Sequence, residues 1–424
     1  APALAAPGDF GWLWTDAGSY GGGYGQATAC AINGADRCVS VGSLPTGANS
    51  DEPVIRELAL SRTPWYGATL APNGELVALA IASSGDTFAV GSVVTPGHGR
   101  DFLVVQQSGS TVTTKVWDSA AHKEDRARAV ALRADGSLYV TGLSKGADGH
   151  YDIALVKYGP AGDQQWVKRF GPSGQNDIAS AVKIRGSALY VSGYADRPGH
   201  REDAVLLKFD VTTGKRVWVR YFDDSRHLND YALGMAVTSS GIYLAGGGRN
   251  SDVGAGDALL LRYLSNGTLK WTRYTAGAPG MPDDWTALAA APDGSIVTTG
   301  YVWRKTTGDD IATARFTSAG ERSWERLFSS SGLQLDVGQA LAIDKTTGDI
   351  YVGGTISSTA TNEDMGAVAY TPTGTRLWYA RRDGGGAGND WADGCAVSGD
   401  SVYLVGGTAN ASSGSDFAVA QFFK

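Results

Sequence analysis

Leu138-Tyr-Val-Thr-Gly142 returns along the chain as Leu189-Tyr-Val-Ser-Gly193, Ile242-Tyr-Leu-Ala-Gly246 and Val402-Tyr-Leu-Val-Gly406. The closing glycine recurs at Gly42, Gly91, Gly142, Gly193, Gly246, Gly300, Gly354 and Gly406. Successive glycines lie roughly fifty residues apart, the period of propeller blades and kelch-like units. The same items surround each one in the same order. An alternating small-apolar run comes first, as in Ala127-Arg-Ala-Val-Ala-Leu132. The turn Asp135-Gly136 leads into the glycine-ended run. A variable loop, an acid and an apolar run follow, as in Asp152-Ile-Ala-Leu-Val-Lys-Tyr158. A Gly-containing turn and a Trp-centred run, Gln165-Trp-Val-Lys-Arg169, complete the unit. These are four short strands of period two with no helical period. The reading is all-β, an eight-bladed β-propeller of four-stranded blades, with residues 1–424 as one domain.

The last unit stops after Asp416-Phe-Ala-Val-Ala-Gln-Phe422, without its Trp-bearing strand. Gly8-Asp-Phe-Gly-Trp12-Leu matches Gly162-Asp-Gln-Gln-Trp166-Val. Residues 8–16 are therefore expected to form the outer strand of the last blade, which removes an open edge. Each outer strand then carries one Trp (Trp12, Trp65, Trp117, Trp166, Trp218, Trp271, Trp324 and Trp378), read as packing between blades.

The net charge is −7 and no Lys/Arg run exceeds a pair, which speaks against non-specific nucleic-acid binding. No apolar run reaches membrane-spanning length. The start, Ala1-Pro-Ala-Leu-Ala-Ala-Pro-Gly, resembles a segment just after signal-peptide cleavage, so a secreted or periplasmic, monomeric protein is expected. Cys30, Cys38 and Cys395 are too few for a disulfide scaffold. Cys30–Cys38, Cys38–Cys395 and three buried thiols all remain open.

The units resemble the bacterial SBBP-type propeller repeats of secreted and surface proteins. The likeness rests on Asn176-Asp177, Asp135-Gly-Ser-Leu-Tyr-Val-Thr-Gly142 and Asp152-Ile-Ala-Leu-Val-Lys-Tyr158. It implies the fold and no single activity. Asp210-Val-Thr-Thr-Gly214-Lys-Arg-Val-Trp218 resembles the tryptophan-docking motif of eight-bladed pyrroloquinoline-quinone dehydrogenases. The adjacent cysteine pair that some of those enzymes place over the cofactor is not in this sequence. No organic cofactor is expected; calcium is the alternative.

Two acidic series map to one face, formed by the loops between blades and between second and third strands. Asp125, Asp177, Asp230, Asp284, Asp336 and Asp390 begin inner strands. Glu52, Asp101, Asp152, Asp203, Asp257, Asp310, Asp364 and Asp416 begin third strands. Such carboxylates either cap turn amides of their own blade or bind a cation, with Asp177, Asp230 and Asp284 as metal candidates. No D-x-D-x-D-G calcium loop is present.

Residues that break the repeat are the site candidates. All five histidines, His98, His122, His150, His200 and His227, fall in these loops, beside Arg100, Lys123, Arg201 and Arg226. Tyr231, Trp285 and Trp391 are expected at the channel mouth, and Trp303 and Arg304 in a loop, where exposed rings would stack on sugars. A bound extracellular glycan or surface protein is the first reading. A polysaccharide lyase or glycoside hydrolase using His150, His200 or His227 with Arg201 or Arg226 is the second, and a structural scaffold the third.

Overall fold

The computed structural model describes residues 6–8, 10–16, 25–47, 50–58, 64–69, 73–171, 174–224, 227–248, 256–330, 334–358, 362–384, 388–409 and 414–424. It is an eight-bladed β-propeller of four-stranded antiparallel blades. Blade four shows the plan: Asp177–Arg185, Ala188–Asp196, Glu202–Asp210 and Arg216–Phe222 pair in sequence order from inner to outer strand. The last blade pairs Trp391–Ser398, Ser401–Ala409, Ser415–Phe423 and then Phe10–Asp16. The N-terminal strand thus completes the last blade, as its Trp motif predicts. Among the described residues no helix is long and apolar enough to cross a membrane.

Contacts divide the chain into two compact units. One comprises Ala1–Leu76, Ala291–Phe316 and Arg322–Lys424; the other comprises Val77–Ala290 and Thr317–Glu321. In the second unit, third strands are buried on both faces, which explains their unbroken apolar runs. Val205 and Leu207 pack with Tyr139, Ile153 and Leu155 of blade three. Ala204 and Leu206, pointing the other way, pack with Leu244, Leu259 and Leu261 of blade five. In the first unit, Met365 and Ala367 meet Leu404 and Phe422 in the same fashion.

The repeated glycine has a steric cause. Six inner strands show a bulge, at Ala179/Ala181 in blade four. The bulge turns the Ile178 carbonyl onto Gly193, where an added Cβ would lie 1.9 Å from that oxygen. Gly142 and Gly406 face Arg126 and Trp391 carbonyls at the same distance.

The outer-strand tryptophans dock on the next blade. Trp271 Nε1 donates to Ser318 O at 3.1 Å, and Trp324 Nε1 to Pro372 O at 3.0 Å. Their rings lie flat against Gly320 and Gly374. An arginine two residues on covers each ring and donates to the same glycine carbonyl: Arg273 Nε to Gly320 O and Arg326 Nε to Gly374 O, both 2.7 Å. These tryptophans hold neighbouring blades together and present no ligand-stacking face. Trp12 and Trp65 have side chains outside the described set.

The three cysteines are free. Cys30 hydrogen-bonds the Cys38 sulfur, and that contact together with burial raises its pKa.

Candidate functional site

In an antiparallel blade the second-to-third-strand loop and the loop leaving the outer strand emerge at the same end. Blades two and four use this to build one constellation twice. The first loop carries Thr95-Pro-Gly-His98-Gly-Arg-Asp101 in blade two and Arg197-Pro-Gly-His200-Arg-Glu-Asp203 in blade four. The second carries Asp118-Ser-Ala-Ala-His122-Lys-Glu-Asp125 and Asp223-Asp-Ser-Arg-His227-Leu-Asn-Asp230. In blade two, His98 Nδ1 and His122 Nδ1 lie 2.7 and 2.5 Å from Asp118 Oδ2. In blade four, His200 Nδ1 and His227 Nδ1 lie 2.6 and 2.7 Å from Asp223 Oδ2. Ring centroids are 4.5 Å apart in both pairs.

The loops are built for this geometry. His122 and His227 hold left-handed backbone, φ 49° and 56°, at equivalent positions. L-residues adopt that region at a cost of roughly 1–2 kcal/mol, which recurs only where the surroundings enforce it. Turn bonds from His122 N to Ser119 O and His227 N to Asp224 O close both loops. The imidazoles are half exposed while the carboxylates behind them are largely covered. An aspartate on Nδ1 fixes ring orientation and leaves Nε2 as the outward group.

The inner-strand acids behave as turn caps. Asp125, Asp230, Asp336 and Asp390 each accept, through Oδ2, the backbone N–H six residues earlier, at 2.5–3.0 Å. Four third-strand acids are charge-compensated instead. Arg169 holds Asp152 at 2.9 Å, Arg197 holds Asp203, Arg304 reaches Asp310 at 3.9 Å, and Arg381 reaches Asp364 at 3.4 Å. Arg197 also lies 3.4 Å from Asp223 and stacks on Tyr221 at 4.7 Å.

Among the residues singled out by sequence, His200 and His227 meet, and His98 meets His122. His150 joins no histidine pair among the described residues; its backbone N–H donates to Asp148 Oδ1. Arg201 is exposed, and the cation beside His200 is Arg197. Arg226 lies outside the described residues. Tyr231 donates to Asp284 Oδ2 at 2.8 Å, and Trp391 Nε1 donates to Asp393 Oδ2 at 2.9 Å. Both rings are partly covered, lying across Gly247 and Gly407. Trp303 is half-buried and Arg304 exposed.

Trp285 corrects the expectation of an exposed ring: it is 0% exposed. In sequence, the glycine that Tyr231 and Trp391 lie across is replaced in blade six by Tyr301. Sequence reasoning missed Asp118, Asp223 and Arg197. The signal was the repeated pair P-G-H-x-x-D and D-x-x-x-H-x-x-D, visible only when the two loops are read together.

Asp177 and Asp230 are pushed up to about 7, and Asp284 to about 6, chiefly by burial. Asp177 has neither carboxylate oxygen hydrogen-bonded. Its folded pKa exceeds the ordinary 3.8, so the native state holds this proton more firmly than the unfolded chain. The resulting stability is complete below about pH 4 and is lost as pH rises through about 7. Asp177→Asn needs no proton. Relative to wild type it should gain on the order of a few kcal/mol between pH 4 and pH 8. Denaturant melts across that range measure this, and parallel curves for the two proteins would refute it.

A concavity of about 780 Å³ lies at the other end of the blades. First-to-second-strand turns of blades two and three line it, with Ser84, Asp86, Arg133 and Asp135. It contains none of the histidines.

No protein-family model and no curated protein matches the sequence. Solved structures do. Sqt1 from Chaetomium thermophilum aligns with a TM-score of 0.60 at 12% identity, over 97% of this chain and 100% of that one. A europium-containing methanol dehydrogenase aligns with a TM-score of 0.58 at 12% identity, over 98% and 93%. The quinohemoprotein alcohol dehydrogenase ADHIIG from Pseudomonas putida HK5 aligns at 0.51 and 11% identity, over 97% and 76%. At such identities these likenesses establish the propeller fold and nothing about chemistry.

Proposed function

We propose that this chain is a binding module that takes an extracellular ligand, a glycan or another surface protein, on its loop face. The observation that carries the reading is duplication. The same His–Asp–His arrangement stands in blades two and four, with the same bonds and the same backbone conformation. A catalyst needs one set of acid–base groups, whereas two equivalent contact points a fixed number of blades apart suit a ligand with repeated features. Each outward Nε2 suits a hydroxyl or amide N–H of such a ligand.

The lyase reading needs a cation free to neutralise a uronate. Arg197, which lies 3.4 Å from His200 Nδ1, is already held by Asp203 and Asp223 and stacked on Tyr221. That commitment favours binding over elimination chemistry. A glycan array probed with wild type and with the double variants His98→Ala/His122→Ala and His200→Ala/His227→Ala tests the proposal. Each double variant should lose at least tenfold in affinity. Unchanged binding in both would overturn the histidine assignment, and ultraviolet-absorbing unsaturated products from a polyuronate panel would favour the lyase.

A further inference from the structure

Blade four supplies an internal reference for blade two. Its third-strand acid Asp203 is fully buried and carries the Arg197 guanidinium, which also reaches Asp223. The equivalent of Arg197, six residues before the acid, is Thr95 in blade two. Blade six has Arg304 at that position. Blades three and seven compensate the acid differently, with Arg169 and Arg381 from the outer strand. The register places Val116 there in blade two. Asp101 therefore has neither source of positive charge.

Yet Asp101 is 0% exposed. It clusters with Asp118 and Asp125, one oxygen of each lying within 4.8 Å of the others. Asp118 gives Oδ2 to the two imidazoles, and Asp125 gives Oδ2 to the Ser119 N–H. That leaves both oxygens of Asp101 and Oδ1 of Asp118 and Asp125 buried without a well-formed hydrogen bond, and the groups recorded near Asp101 and Asp125 are the neutral hydroxyls of Thr95, Ser119 and Ser144. The buried Ser119 and Ser144 hydroxyls lie beside Asp125, where they interact with its carboxylate and stand within reach as neutral oxygen donors. A buried carboxylate without a partner is costly, and three together more so. Burial holds Asp101 and Asp125 above the usual carboxylate range, with the neighbouring acids adding to it.

We infer that Asp101, Asp118 and Asp125 bind a divalent cation of the calcium class, at the place where blade four puts the Arg197 guanidinium. Oxygen donors from three carboxylates and nearby hydroxyls match the hard-ligand, six-to-eight-coordinate preference of Ca²⁺. The imidazoles orient Asp118 from its other oxygen, a supporting role common around metal ligands. The cation site does not rest on the loop-face reading, although Asp118 is shared with the His98–His122 pair.

The test uses the full chain, dialysed against chelator and titrated with Ca²⁺ by calorimetry and with Tb³⁺ by luminescence. Trp117, adjacent to Asp118, is the expected sensitiser. Two variants accompany wild type. Asp101→Asn removes the central ligand. Thr95→Arg copies blade four, supplying the cation covalently while keeping every carboxylate. Wild type should bind Ca²⁺ and melt at a higher temperature with it. Both variants should lose at least a hundredfold in affinity, and Thr95→Arg should melt at the same temperature with and without Ca²⁺. Should Asp101→Asn fail to fold, Thr95→Arg alone decides. Absence of Ca²⁺ and Tb³⁺ binding at millimolar concentration in wild type, or unchanged binding in Thr95→Arg, would overturn the assignment.

Discussion

Removal of residues 1–16 is expected to cost several kcal/mol and to turn a well-behaved chain into one that self-associates or unfolds at ordinary temperature. The strand Phe10–Asp16 pairs along Ser415–Phe423 from Phe10↔Phe422 to Asp16↔Phe417, and Gly8 N extends the ladder to Phe423 O at 2.8 Å. Phe417, Val419 and Phe422 are fully buried in the intact protein. Phe10 packs edge-on against Phe422 and lies under Arg382. Gly8 sits against the Trp378 ring, in the way Gly320 and Gly374 sit against theirs. Truncation removes a ladder, a ring contact and a docking surface together. The result is an apolar strand edge open to other chains. Thermal melting with size-exclusion chromatography measures both consequences. An unchanged melting temperature in a monomeric truncated protein would show that the strand is dispensable.

The repeat was readable because blade packing asks the same thing of every unit. The repeated glycine and an outer Trp occur once per blade, and a buried tyrosine follows Leu, Ile or Val in five of them. Their period survives the varying loops. Even closure was legible, since the missing Trp strand of the last blade had its match at residues 8–16. The site was legible only in part. The histidines stood out because no blade needs them, but their partners Asp118 and Asp223 were hidden in a chain rich in acids near loops. Which acid meets which histidine depends on two loops converging from positions about twenty residues apart, and strand spacing does not report that. Trp285 failed for a related reason. Its position matches Tyr231 and Trp391, but exposure is set by three-dimensional surroundings that a repeat position does not report.

Comparison between blades also separates the acids by purpose. Asp336 and Asp390 each accept two backbone N–H groups, so these carboxylates are spent on holding loops. Asp152, Asp203, Asp310 and Asp364 are spent on arginines. Asp101 is spent on neither. Because the surrounding strands are equivalent, the difference traces to two positions, Thr95 and Val116, rather than to a difference in fold. A substitution at Thr95 therefore tests charge balance with little change in backbone.

Replacement of Gly193 by Ala should destabilise the protein by about 3 kcal/mol or more. The cause is local and rigid. The new Cβ would stand 1.9 Å from Ile178 O and 2.9 Å from Ala179 Cα, and both are backbone atoms of the bulged inner strand. No rotamer change relieves such a contact; the bulge must open or the two strands must part. Either response disturbs Val191, Val205 and Leu207, which are fully buried at the interface with blade three. Gly34→Ala is the internal control. That glycine lies in a turn of blade one, has no atom within 4 Å of an added Cβ and needs no left-handed backbone. Its replacement should be neutral or slightly stabilising, because alanine restricts the unfolded chain. Chemical denaturation of the two variants beside wild type reads the difference directly. Equal stabilities would mean that the repeated glycine series has a cause other than close approach at the bulge.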